Sequence, residues 1–223
     1  LLPVVGSALA LALLPAATLG LMAATSQASA GTFPMPSVLV SAFRAGRQRA
    51  RAMLVLGVLY AMGFLVLMGV SALIDGGDFA QLYLVGGKID QETVSDPDFQ
   101  FAALVTMTLY LPLSLLFWHA PALVHWYGVP PVKSLFFSFV ACMRNFGAYL
   151  IYGITWVVVF LLGGVLITTI TGLIGSPELA AAIMLPTALL MAAMFFTSVF
   201  FTFRDTFVPP HHDSDGQGFS SLA

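Results

Sequence analysis

The chain has 223 residues, of which 59% are hydrophobic and only 8% charged, with a formal net charge of −2. A soluble domain of ordinary composition carries roughly three times that share of charge, so lipid must solvate most of this chain. The composition also excludes nucleic-acid binding, because no basic face is large enough to neutralise many phosphates.

A membrane-crossing helix needs roughly 20 apolar residues to traverse a hydrocarbon core about 30 Å thick. Residues 1–24 are apolar enough, and Pro3, Gly6, Pro15 and Gly20 predict that this first span is broken or kinked. After it, residues 37–51 form an amphipathic segment, with Leu39, Phe43, Gly46 and Ala50 on one face. Arg44, Arg47 and Arg51 share the neighbouring face, as expected of a helix lying in the interface with its cations at lipid headgroups.

The second span, 52–73, is uncharged. A loop at 74–100 follows, carrying Asp75, Asp78, Asp90, Glu92, Asp96 and Asp98 against Lys88 alone. It is expected on the periplasmic side, as a solvated face or a docking surface for a basic partner, with Asp75-Gly76-Gly77-Asp78 as a turn. Span three, 101–118, ends in Trp118-His119-Ala120-Pro121-Ala122-Leu123-Val124-His125-Trp126-Tyr127. Six residues separate the two histidines, so they cannot face one ion together on a helix; Trp118, His119, His125, Trp126 and Tyr127 are expected as interfacial anchors.

A second amphipathic helix is predicted at 132–146. Leu135, Phe136, Phe139, Met143 and Phe146 fall on its apolar face, with Lys133, Ser134, Ser138, Arg144 and Asn145 opposite. Lys133 and Arg144 join the headgroup contacts. Spans 147–170 and 178–203 complete a single transmembrane region, 1–207, and Pro186 should kink the last. Residues 208–223 are polar and aperiodic, as in a disordered cytoplasmic tail. Seven of the eight basic residues fall on one side in this arrangement, which the positive-inside rule makes the cytoplasm.

The expected fold is therefore all-α, a polytopic bundle of about five spans with two interfacial helices. Leu39, Phe43, Ala52, Leu54 and Gly57 recur as Leu135, Phe139, Ala148, Leu150 and Gly153, each 96 positions on, which points to a parallel internal duplication. No span has a charged residue in its interior, which argues against proton- or ion-coupled transport and against catalysis by paired carboxylates. No zinc, P-loop or serine-triad motif is present, and no cofactor is expected. The lone Cys142 has no second thiol to pair with and is expected to pack as a small apolar residue. Gly57, Gly63, Gly163 and Gly164 allow close helix contact, within the chain or with another subunit.

Phe117, Ala120-Pro121-Ala122-Leu123, Trp126, Lys133-Ser134-Leu135-Phe136-Phe137-Ser138-Phe139 and Arg144-Asn145, with the earlier Leu54-Val55-Leu56-Gly57, Tyr60 and Asp75-Gly76-Gly77, resemble a family of uncharacterised Gram-negative multi-pass inner-membrane proteins. That resemblance implies a further span ahead of Leu1 and supplies no activity. The residues favour a non-enzymatic accessory, structural or assembly subunit, in contact with membrane lipids and with other integral subunits of a respiratory or photosynthetic complex. The alternative is a transporter or channel for a neutral or lipid-like solute, favoured by the paired halves and the proline-interrupted spans.

Overall fold

A computed structural model describes residues 2–86, 90–175 and 177–207. The tail expected at 208–223 lies outside the described residues. In chain order the helices are α1 (Leu2–Ser29), α2 (Ser41–Arg44) after a short 3-10 turn at Pro36–Val40, α3 (Arg47–Asp75), α4 (Asp78–Val85), α5 (Gln91–Ser95), α6 (Pro97–Phe117), α7 (Ala120–Tyr127), α8 (Pro131–Arg144), α9 (Phe146–Ile174) and α10 (Pro177–Phe207). Five of the helical stretches are long and apolar enough to cross a membrane. The all-α bundle expected from the sequence is what the chain forms.

Two features bear on the expected helix boundaries. Of the broken or kinked first span, the break is absent: residues Leu2–Ser29 form one helix with Pro15 inside it. One proline removes only a single backbone bond, and such losses are tolerated in apolar helices. Gly20 is present for a different reason: a Cβ there would sit 2.5 Å from the carbonyl oxygen of Leu39, so only glycine lets the helix pass that close to the 3-10 turn. The first interfacial segment, expected as one helix over 37–51, is in contrast divided. Gly46 adopts φ +98, outside the helical region, and separates α2 from α3. In the second half the interruption falls at Asn145, between α8 and α9, whereas Gly46 shifted by the repeat offset of 96 would correspond to Cys142.

The described chain divides into two compact units, one containing Leu1–Gly20 with Met35–Val140, the other Leu21–Pro34 with the described residues from Ala141 onward. In the first unit Leu19, Met53, Leu56, Tyr60, Phe117 and Val124 form one buried cluster, and Leu67, Met68, Phe79, Phe99 and Ala102 form a second around the α3–α4 turn. Gly57 is buried where a Cβ would overlap the carbonyl oxygen of Ala12, so only glycine permits that approach; Gly63 faces the Leu113 side chain. In the second unit α9 and α10 pair through Tyr152, Trp156, Phe160 and Phe195, whose rings lie 5.4–6.5 Å apart, and through Gly163 against Met191.

Candidate functional site

The acids of the 74–100 loop organise the helices of that loop. The Asp75 carboxylate accepts from the amides of Gly77 at 2.9 Å and Phe79 at 2.8 Å, which starts α4. Asp90 accepts from the Thr93 amide and hydroxyl at 2.9 and 2.7 Å, starting α5. Asp96 accepts from Asp98 at 2.7 Å and, more weakly, from Phe99 at 3.4 Å, starting α6. Asp78, Glu92 and Asp98 sit in the first turns of the same three helices. Five of the six thus stand at helix starts, where exposed amides and the helix dipole favour negative charge, and Asp75, the last residue of α3, is held by the amides of the following turn. The hydrogen bonds to Thr93 hold the Asp90 carboxyl below its ordinary value of 3.8.

The proposed anchor residues divide. His119, expected as an interfacial anchor, is fully buried within the chain. It lies where α6 gives way to α7, in front of Pro121, whose ring and missing amide prevent the two helices from continuing as one. Ser138 of α8 occupies the interruption: its hydroxyl accepts from the His119 amide at 2.9 Å and donates to the Leu115 carbonyl at 2.8 Å. Trp118, His125 and Trp126 are half-buried and Tyr127 is exposed. The His125 carbonyl accepts from the guanidinium of Arg49, which ties the start of α3 to the end of α7. Arg49 was not among the sequence candidates, because its role depends on a carbonyl 76 residues away.

Of the candidate headgroup cations, Arg44, Arg47, Arg51, Lys133 and Arg144 are all exposed. Arg44 belongs to α2, however, while Arg47 and Arg51 belong to α3, so Gly46 removes the continuous helical face that their spacing suggested. The predicted polar face of the second amphipathic helix divides: Lys133, Arg144 and Asn145 are exposed, whereas Ser134 and Ser138 are buried. Ser134, Ser138, Ala141 and Cys142 form its buried stripe, while Phe136, Phe137, Met143 and Phe146 are exposed. A lipid surrounding accounts for this arrangement: phenylalanine loses nothing by facing hydrocarbon, whereas small hydroxyls need partners within the protein. Burial also pushes the Cys142 thiol up to about 12.

A polar cleft opens in the second unit between the first turns of α9 and the last turns of α10. It has a volume of about 320 Å³ and is lined by Asn145, Tyr149, Tyr152, Thr202, Asp205 and Thr206. The Tyr149 hydroxyl meets that of Thr206 at 3.2 Å, and Tyr152 meets Ser198 about one turn further along α9. The sequence reading missed this polar stripe, for which the four-residue spacing of Ser198, Thr202 and Thr206 is the available signal. No group of three or more His, Cys, Asp or Glu side chains able to hold a metal ion occurs among the described residues.

No protein-family model matches the chain, and no solved structure does. Over 210 residues it is 36% identical to a protein of Burkholderia thailandensis described as a probable inner membrane protein, an alignment covering 93% of this chain and 78% of that protein. Identity at that level over most of both chains, in a protein whose described residues include five membrane-length apolar helices, shows that this chain belongs to the family of inner membrane proteins that the Burkholderia protein represents.

Proposed function

We propose that this protein is a non-enzymatic accessory or assembly subunit that packs against a larger inner-membrane complex. The observation carrying that reading is the contrast between two sets of glycines. Gly20, Gly57, Gly63 and Gly163 are each crowded by an atom of the chain itself, and so account for the chain's own close contacts. Gly164 and Gly172 on α9 face open space, four residues to either side of the exposed Thr168, in the small-xxx-small pattern that brings two helices close in lipid. No residue in the most apolar stretch of α9 is buried within the chain. In this reading a neighbouring helix covers that face.

The basic segments, with Arg44, Arg47, Arg51, Lys133 and Arg144 against anionic headgroups, face the cytoplasm, and the acidic loop faces the periplasm. Purification from native membranes in mild detergent, followed by mass spectrometry of stoichiometric companions, tests the reading. A constant integral-membrane partner that is lost on Gly164→Leu supports it. A lone chain that Gly164→Leu leaves unchanged sinks it and turns attention to transport of a neutral or lipid-like solute, for which the polar cleft of the second unit is the entry point to examine.

A further inference from the structure

Tyr60 of α3 and Tyr110 of α6 meet through their hydroxyls, 3.2 Å apart. Tyr60 lies near the middle of the 29-residue α3, about 20 Å from either end, so the pair sits deep in a hydrocarbon core about 30 Å thick. Tyrosine in membrane proteins is concentrated instead at the two interfaces, where its hydroxyl reaches water. Two phenols carry two protons, and the bond between them uses one. Neither hydroxyl has another hydrogen-bond partner among the described residues. Tyr60 is 4% exposed and Tyr110 38%. The arrangement that strands no donor in the interior therefore has Tyr60 donating to Tyr110 and the Tyr110 proton turned to the surface. At that depth the surface meets neither water nor headgroups, and an O–H without an acceptor is costly.

The surroundings narrow the ligand. Thr106 stands one turn before Tyr110 on the same face of α6, is 5% exposed, and its hydroxyl has no hydrogen-bond partner. Thr108, in contrast, returns its proton to the Leu104 carbonyl of its own helix at 2.8 Å. Phe64 lies edge to face with Tyr110 at 6.4 Å between ring centres, and Phe117 with Tyr60 at 5.0 Å. Met107, three residues before Tyr110, is exposed, and its unbranched thioether can repack around a ligand. An exposed phenol among aromatic rings at mid-membrane selects an apolar ring that carries a carbonyl. Phospholipid ester carbonyls stay near headgroup depth, and acyl chains have no acceptor. We infer that the Tyr60–Tyr110 pair binds a lipid-soluble quinone, the Tyr110 hydroxyl donating to one quinone carbonyl. The inference does not rest on the accessory-subunit reading, whose glycines lie on α9.

The test uses the full chain in nanodiscs loaded with carbonyl-labelled decylubiquinone, read by infrared spectroscopy against protein-free nanodiscs. A hydrogen-bonded carbonyl absorbs at lower frequency, so a lowered band that saturates with added quinone is expected, displaced by unlabelled decylubiquinone and not by decylbenzene. Tyr110→Phe should weaken binding by about tenfold and remove the lowered band. Tyr60→Phe should do less, because Tyr110 keeps its proton, and Leu161→Ala on the exposed face of α9 should change nothing. Circular dichroism identifies any variant that fails to fold. Combining Tyr60→Phe with Tyr110→Phe leaves neither hydroxyl alone in the interior and serves if the single variant is lost. A band identical to that of protein-free nanodiscs, or a lowered band that persists in the folded double variant, overturns the inference. So does a stoichiometric membrane protein that the double variant loses while no lowered band forms, which would assign the pair to a neighbouring helix.

Discussion

The Ser138 hydroxyl lies against the His119 amide at 2.9 Å and, through its own proton, against the Leu115 carbonyl at 2.8 Å. Residues 115 and 119 are the pair that an unbroken helix would join directly. A side chain from α8 is thus inserted into the backbone ladder where α6 and α7 part, and both polar groups stay satisfied in a buried place. The neighbouring Ser134 is equally buried, but its hydroxyl donates at 2.7 Å to Pro131 in its own helix.

That difference predicts unequal costs for two similar substitutions. Ser138→Ala deprives a buried amide and a part-buried carbonyl of a partner and should destabilise the protein by about 1 to 3 kcal/mol. Ser134→Ala should cost about 1 kcal/mol or less, since a carbonyl in the first turn of a helix has an intrahelical donor as well. Thermal unfolding in nanodiscs compares the two, and equal costs would show that the bridge contributes nothing.

Glycine substitutions should separate in the same way. Gly57→Ala places a methyl group against the Ala12 carbonyl, where both atoms belong to packed helices, and should cost about 2 kcal/mol or more. Gly164→Ala adds a methyl group in open space and replaces a poor helix former, so the isolated chain should be unchanged or gain up to about 1 kcal/mol. Detergent challenge monitored by size exclusion provides the ranking.

Cys142 should behave as an inert thiol. It is fully buried, and its thiolate is disfavoured by that burial, with the pKa pushed up to about 12. Maleimide added to intact membranes at pH 7 should leave it unlabelled, and labelling should go to completion only after denaturation. Rapid labelling of the folded protein would place the α8 stripe at a surface.

Asp90 carries a pH dependence of known sign. Its carboxylate accepts two bonds from Thr93, which lowers its pKa from 3.8, so the contribution to α5 is complete above the ordinary value and fades as pH falls through the lowered one. The Thr93 amide resonance should therefore titrate with a midpoint below 3.8. In Asp90→Asn the titration disappears, although the amide side chain can still cap the helix.

Sequence alone settled the solvent and the class of fold. Charge at 8% and five long apolar stretches leave lipid as the only medium that can surround such a chain, and helices as the elements able to satisfy its backbone there. Pro121 likewise marked the end of the third span, and Gly76-Gly77 marked a turn, because these residues act through their own backbone.

What the tertiary structure decided were the faces and the partners. Periodicity located the two stripes of α8 but not which one turns inward: in water the phenylalanines would be buried, whereas in lipid they are exposed and the serines are not. The continuity of α2 and α3 depended on the φ chosen at Gly46, which one glycine in a sequence does not specify. Arg49 with His125, Ser138 with His119, and Tyr149 with Thr206 join residues 76, 19 and 57 positions apart. Such pairings arise only when helices pack, because a hydrogen-bonding side chain in an apolar helix takes whichever partner the neighbouring helix brings within reach.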